Sequence, residues 1–405
     1  MLGKFFVLAA GVFMMGFVLM PLVQAQEEAM FITKWGSYGS GNGEFASSKG
    51  ITIDSSDNVF VVDQGNNRIQ KFDKNGNFIT TLGSYCNVES GDGCIDPDGS
   101  GSLALGDGQL SSPYGIAIDS RDNLYVADSN NHRIQKFDKN GNFITKWGSY
   151  GTGDGEFNYP SAIAIDSSGK VYVGDSLNDR IQKFDKNGNF ITKWGSYCYL
   201  ASGDGCIDPD DQGPLVLGDS QFGDTNDLGV AVDSRDKVYV SDPQNNRIEK
   251  FDKNGNFITK WGSYCFIESN YDGCVDPDGS GSLAVGDGQF LDPTGIAFDI
   301  SGNVYVADAD NHRIEKFDKN GNFITKWGSQ CNLLEPWIGC IDPDGSGQLV
   351  LGDGQFYTII DLDFNSSDVI YVTDEGNHRI EVFTLQDNDE DDDEDDDNDN
   401  DDSDS

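Results

Sequence analysis

Apolar and polar positions along this chain alternate in short runs with a period of two, without the 3.6-residue rhythm of an amphipathic helix. Residues 115–148 show the pattern in full: GIAIDSRDNLYVADSNNHRIQKFDKNGNFITKWG. They predict four strands, a short inner one over 115–119, a longer one over 123–128, a third over 133–137 and an outer one over 143–148. In runs such as Leu124-Tyr125-Val126-Ala127, apolar residues occupy both alternating sets. Both faces of each sheet are therefore expected to pack against neighbours, which puts the core between sheets. Asp138-Lys139-Asn140-Gly141 predicts a hairpin turn between the third and outer strands, with Asn and Gly taking positive φ.

The same sentence recurs. R-I-[QE]-[KV]-F begins at Arg68, Arg133, Arg180, Arg247, Arg313 and Arg379, at spacings of 65, 47, 67, 66 and 66 residues. The compact unit is the 47-residue one, and the four longer intervals contain inserts. The outer strand also occurs six times, starting at Phe31, Phe78, Phe143, Phe190, Phe257 and Phe323, but its first copy precedes any inner strand. Residues 31–36 are thus expected to complete the last unit, whose other strands fall near 361–365, 369–374 and 379–383. The fold class that follows is all-β: a six-bladed β-propeller of four-stranded blades, its ring closed by the N-terminal strand. The sixth unit departs from the pattern. It reads Asp361-Leu362-Asp363-Phe364-Asn365 where others have GIAID, and it lacks the K-N-G-N turn.

The run Asn131-His132-Arg133-Ile134, repeated at 311–314 and 377–380, resembles the motif for which NHL repeats are named, and the resemblance covers about residues 30–385. It implies the same propeller fold. Some NHL propellers are the recognition ends of ubiquitin ligases or RNA-binding regulators, and some NHL-like ones are metal-dependent lyases. The chain has no RING-type Cys/His array, and an acidic body suits phosphate contacts poorly.

Formal charge is −42, of which residues 387–405 hold 14 acidic side chains and no basic one, leaving −28 on the remainder. Nucleic acid and anionic lipid are disfavoured as partners. The first residues read as a signal peptide: Lys4, an apolar run from Phe5 to Leu22, then Val23-Gln24-Ala25 as a small-residue cleavage site. The expected division is 1–25 signal peptide, 26–386 propeller and 387–405 disordered acidic tail, in a secreted or cell-surface protein that is a monomer. Beyond an N-terminal anchor, should the peptide stay uncleaved, no membrane role is expected.

Eight cysteines in an exported chain predict one disulfide within each insert: Cys86 with Cys94, Cys198 with Cys206, Cys265 with Cys274, and Cys331 with Cys340. Each insert also holds a loop resembling that of EF-hands, with candidate ligands at positions 1, 3, 5 and 12. They are Asp96, Asp98, Ser100 and Asp107; Asp208, Asp210, Gln212 and Asp219; Asp276, Asp278, Ser280 and Asp287; and Asp342, Asp344, Ser346 and Asp353. Structural calcium is the expected cofactor. Position 12 is Asp rather than Glu and coincides with an ordinary repeat turn, where the insert-free connectors have Asn42 and Asp154.

Two features read as structural. The Asp before each N-x-R turn (Asp63, Asp128, Asp175, Asp242, Asp308, Asp374) and the Arg after it recur in every unit, so they serve strands and turns; a catalytic site needs asymmetry. The three histidines, His132, His312 and His378, stand where other units have Asn67, Asp179 or Asn246, and read as substitutions within the consensus. No catalytic residue is assigned. The expected function is recognition or scaffolding, an extracellular protein or glycan binding on the face crowned by the inserts. The alternative is a metal-dependent lyase or hydrolase working in the central channel, which would call for a non-repeat cluster of His, Asp or Glu.

Overall fold

The computed structural model describes residues 28–85, 106–197, 219–223, 227–263, 287–330 and 354–386. Six four-stranded antiparallel sheets form the ring, together with three two-stranded pairs. Blade one comprises Ser48–Ile53, Val59–Asp63, Arg68–Phe72 and Phe78–Leu82 from the axis outwards, and blade two Pro113–Ile118, Leu124–Asp128, Arg133–Phe137 and Phe143–Trp147. Blade six takes Ile359–Phe364, Val369–Asp374 and Arg379–Gln386 from the end of the chain and Glu28–Trp35 from its beginning. These last two strands pair antiparallel from Glu28↔Gln386 to Trp35↔Ile380, closing the ring as the displaced first outer strand requires. Among the described residues no helix is long and apolar enough to cross a membrane.

The core consists of six clusters, each shared by two neighbouring blades. At the seam between blades six and one, Tyr371, Ile380 and Val382 pack against Phe45, Ile51, Val59, Val61 and Phe72, every one of them buried. Apolar residues in both alternating sets follow from this, since each sheet faces a neighbour on either side.

The hairpin turn differs from its expected form. Gly76, Gly141, Gly188, Gly255 and Gly321 have φ of 84–88°, but the preceding Asn does not take positive φ. Asp73 Oδ1 instead accepts the N–H groups of Asn75 and Asn77, both at 2.9 Å, and the third strand bulges between Lys71 and Phe72. One left-handed residue followed by a bulge replaces the two-residue turn. A Cβ on Gly76 would also stand 2.5 Å from Cδ2 of Trp35 in the preceding blade, so glycine is required there twice over.

Chain direction sorts the loops. Each inner strand begins on the face that also carries the connectors from the preceding outer strand and the 3₁₀ turns, such as Gln64–Asn66, between second and third strands. Both described ends of the insert between blades one and two lie there, joined by the parallel pair Ser84–Tyr85 with Gln109–Leu110. The insert-free connectors close with single bridges, Tyr38 to Phe45 and Tyr150 to Phe157. The mouth of the central channel opens on this face.

Candidate active site

The repeated acid and base form a buried brace. In blade two Asp128 Oδ1 accepts the Ser111 N–H at 2.7 Å, Asn131 Nδ2 donates to both carboxylate oxygens, and Arg133 Nε donates to Oδ2 at 2.7 Å. Arg133 Nη2 then reaches the carbonyl of Gln109 at 2.7 Å. All six aspartates have zero exposure, and each clamps the connector entering its own blade. This is scaffold.

Two of the three histidines, His132 and His312, also serve the scaffold, whereas the buried His378 Nδ1 accepts no such bond among the described residues. His132 and His312 lie in the left-handed region at φ 50° and 53°, as Asn67 and Asn246 do at 54° and 53°. Asn67 Oδ1 accepts the N–H of Ser112 in the next blade at 2.8 Å, and Asn246 Oδ1 that of Asp292 at 3.1 Å. His132 Nδ1 and His312 Nδ1 do the same for Tyr159 at 3.2 Å and Thr358 at 3.4 Å. An acceptor nitrogen must be unprotonated, and burial holds His312 down at about 4.

Where these clamps release the chain, the repeats stop resembling one another. The second residue after the connector's buried Phe or Leu is Ser47, Ser112, Tyr159, Asp292 or Thr358, and the fourth is Lys49, Tyr114, Ser161, Thr294 or Ile360. Blade four is two residues longer here and contributes Asp227. Four of these residues, Ser112, Tyr159, Asp292 and Thr358, have φ between 45° and 67°, a strained conformation for Tyr and for β-branched Thr.

Together these positions ring the channel mouth. Lys49 Nζ lies 2.8 Å from Glu375 Oε2 and 5.1 Å above the Tyr114 ring. Ser47 Oγ donates to the other Glu375 oxygen. The Tyr114 and Tyr159 rings meet edge-on at 6.4 Å, and Gln64 Nε2 reaches the Tyr159 hydroxyl at 3.5 Å. Burial, then the charges of Asp310, Asp227 and Asp308, push the Asp292 carboxyl up to about 7 against the pull of Lys49. Burial and the Asp227 and Glu375 charges hold the Tyr114 phenol well above its ordinary value. The buried Tyr114 hydroxyl faces Asp227, which acts on it both by charge and as a side-chain hydrogen-bond partner, though not in ideal geometry.

Below the mouth the channel narrows to a cavity of about 60 Å³ lined by Tyr114, Ser161, Asp227, Thr294 and Asp361. That admits a few waters but not a drug-sized ring. A wider cavity of about 320 Å³ follows towards the opposite face, lined by the inner strands.

The residues expected to form disulfides and to bind calcium fare differently. Cys86 and Cys94, Cys198 and Cys206, Cys265 and Cys274, and Cys331 and Cys340 all lie outside the described residues, so none of the four expected disulfides has a counterpart among them. Every ligand at loop positions 1, 3 and 5, together with Asp353, also lies outside. Of the position-12 aspartates, Asp107, Asp219 and Asp287 pair with Lys146, Lys260 and Lys326 at 2.9, 3.1 and 3.0 Å, as Asp154 pairs with Lys193 at 2.8 Å where no insert exists. In these three inserts position 12 forms a repeat ion pair between connector and outer strand. Among the described residues no group of three or more His, Cys, Asp or Glu could hold a metal ion.

Residues 109–196 match the DUF5128 family, a 6-bladed beta-propeller, and residues 290–317 and 356–383 match the NHL repeat. The chain is a six-bladed β-propeller with a limited region of NHL-repeat homology. Forty-six residues are 52% identical to protein lin-41 of Caenorhabditis elegans and 48 residues 44% identical to protein brain tumor of Drosophila melanogaster. The matched segments span 11% and 12% of this chain and only 4% and 5% of those proteins. Solved structures of similar shape include an auxiliary nutrient binding protein from Bacteroides ovatus (TM-score 0.51, 13% identity, 89% of this chain and 78% of that one). A gluconolactonase from Xanthomonas campestris is similar too (TM-score 0.50, 13% identity, 90% and 97%), as is virginiamycin B lyase from Staphylococcus aureus (TM-score 0.48, 13% identity, 89% and 99%). At such identities the likeness is one of fold.

These findings correct the expected function. A non-catalytic recognition or scaffold propeller, braced by disulfides and calcium, rested on the lack of an asymmetric acid cluster. The mouth supplies that cluster, and the solved structures of similar shape include a gluconolactonase. Asp107, Asp219 and Asp287 are paired with lysines, while the other expected calcium ligands and all eight cysteines lie outside the described residues. The acid cluster went unread because Asp292 and Asp310 of blade five and Asp227 of blade four stand at positions where the other blades carry unrelated residues. Aligning the six copies would have exposed it, since near-identical strands run into a segment different in every blade.

Proposed function

We propose that the chain is an enzyme, a hydrolase or lyase that performs acid–base chemistry at a carbonyl of a small, uncharged or cationic substrate held at the channel mouth. The observation that carries this reading is Asp292, whose carboxyl stands at about 7 within reach of the Asp227 charge, the same charge that acts on the Tyr114 phenol at the mouth. A carboxyl poised there exists in both forms at neutral pH, as a general acid–base requires. Asp292, ionised, would take a proton from an attacking water or from a carbon next to the carbonyl. Tyr114 would donate to the oxygen on which charge develops. Lys49, held by Glu375 and the Tyr114 ring, positions that phenol. The 60 Å³ channel below keeps the body of the substrate at the mouth. The alternative expected from sequence was metal-dependent, but the described residues hold no group of three or more His, Cys, Asp or Glu that could bind a metal ion.

Gluconolactone and related aldonolactones are suitable probes, with acid release from the full chain followed by pH-stat. Asp292→Asn should lower kcat/KM by about 10²–10⁴-fold, the range typical of a general acid–base. Tyr114→Phe, which keeps the ring and removes the hydroxyl, should lower it by about 10²-fold. Turnover no faster than the spontaneous rate for every lactone tested, or an Asp292→Asn variant as active as the parent, would overturn the reading.

A further inference from the structure

Two residues after the repeated arginine, blades one to three carry Gln70, Gln135 and Gln182, whereas blades four to six carry Glu249, Glu315 and Glu381. All six side chains have zero exposure. Gln135 Oε1 accepts the Gly108 N–H at 3.0 Å, while its Nε2 donates to the Gln109 carbonyl at 2.7 Å and to Asp128 Oδ2 at 3.1 Å. Gln70 and Gln182 repeat all three bonds with Gly43, Glu44 and Asp63, and with Gly155, Glu156 and Asp175.

In the other half of the ring the accepting oxygen is kept. Glu249, Glu315 and Glu381 take the N–H groups of Ser220, Gly288 and Gly354 through Oε2, at 2.9, 2.9 and 3.0 Å. Oε1 is then left where glutamine has its amide nitrogen, on the side of the connector carbonyl and the buried aspartate, both of them acceptors. Each arginine does touch Oε1, but its Nε is already committed to the aspartate in the same blade. One guanidinium facing two buried carboxylates leaves a net negative charge away from water, which is costly.

We infer that Glu249, Glu315 and Glu381 are held as neutral carboxylic acids, each Oε1–H doing the work of a glutamine amide, so that blades four to six are clasped by protons where blades one to three are clasped permanently. The groups facing them are Arg247, Asp242 and Lys260; Arg313, Asp308 and Lys326; and Arg379, Asp374 and Lys34. Lys260 and Lys326 are themselves paired with Asp219 and Asp287. Burial is the largest cause of upward shifts to about 7, 8 and 7 for the three glutamates. A folded-state value raised above the unfolded one means the native state binds more protons. Stability from these groups is therefore present below the ordinary glutamate range and is lost as pH rises towards 8. This inference is independent of where catalysis takes place.

The test compares the full chain with its Glu249→Gln/Glu315→Gln/Glu381→Gln variant, using thermal melts from pH 5 to pH 9 and infrared spectra of the carboxyl stretch. The variant should match the parent at pH 5, exceed its Tm at pH 9, and lose protonated-carboxyl absorbance that the parent shows at pH 6. The converse variant, Gln70→Glu/Gln135→Glu/Gln182→Glu, should fall in Tm with rising pH more steeply than the parent. A parent without protonated-carboxyl absorbance at pH 6 would overturn the inference. So would a glutamine variant that fails to fold, or one whose Tm tracks the parent across the whole range, since three blades already use glutamine in this place.

Discussion

Arg133 stands between Asp128 and the Gln109 carbonyl, and five other arginines occupy the same place in their blades. Removing such a residue strands a carboxylate with no exposure. Arg133→Ala should cost about 3–5 kcal/mol in urea unfolding, the range for breaking a buried pair by deleting one partner. The sequence supports this reading because a residue present in every copy must serve what every copy shares. The same logic separates His132 and His312 from catalysis. Exchanging His312 for Asn, which is already the acceptor at the equivalent Asn246, should change stability by less than about 1 kcal/mol, while His312→Ala should cost about 1–3 kcal/mol by orphaning the Thr358 N–H. Asp292 was not legible in this way. Nothing in the repeat pattern marks it, and its raised value comes from burial, from Asp310 and Asp308 of its own blade and from Asp227 of the neighbouring one.

Strands and turns were legible where they repeat and less so where they do not. The third strand was located to the residue at Arg133–Phe137, and the inner strand within two residues at Pro113–Ile118. The closing strand was expected over 31–36 but runs Glu28–Trp35, because it follows the length of its partner Arg379–Gln386. The least regular inner strand, Ile359–Phe364, departs from its siblings for a reason seen only in three dimensions. Asp361 Oδ2 and Asp363 Oδ2 accept the N–H groups of Ile51 and Ile53 in the neighbouring inner strand, both at 3.1 Å. These bonds cross from blade six to blade one, the same pair joined by the closing strand. Burial lifts the two carboxyls to about 7 and about 6. Deleting residues 28–35 takes away the whole outer strand of blade six, whereas deleting 387–405 takes away no described strand. Thermal melts should show a large fall in Tm or loss of folding for the first truncation and little change for the second. Equal melting temperatures would contradict non-covalent closure.

Across the whole molecule, six near-identical sheets make a rigid frame, and its chemical individuality is confined to the face on which the inner strands begin. The ring could be read from the chain because periodicity is a property of sequence. The mouth could not, because juxtaposition across an axis is a property of closure. With a formal charge of −42 the protein should favour uncharged or cationic substrates, and salt should weaken its preference for cations. The central claim, that the Asp292 carboxyl at the mouth is the acid–base group, is tested most directly by the pH profile of kcat/KM for a hydrolysed lactone. For the parent it should rise with pH through about 7, where Asp292 ionises, and in Asp292→Asn the residual rate should lack that limb. A limb near pH 7 of equal height in both proteins would contradict the account.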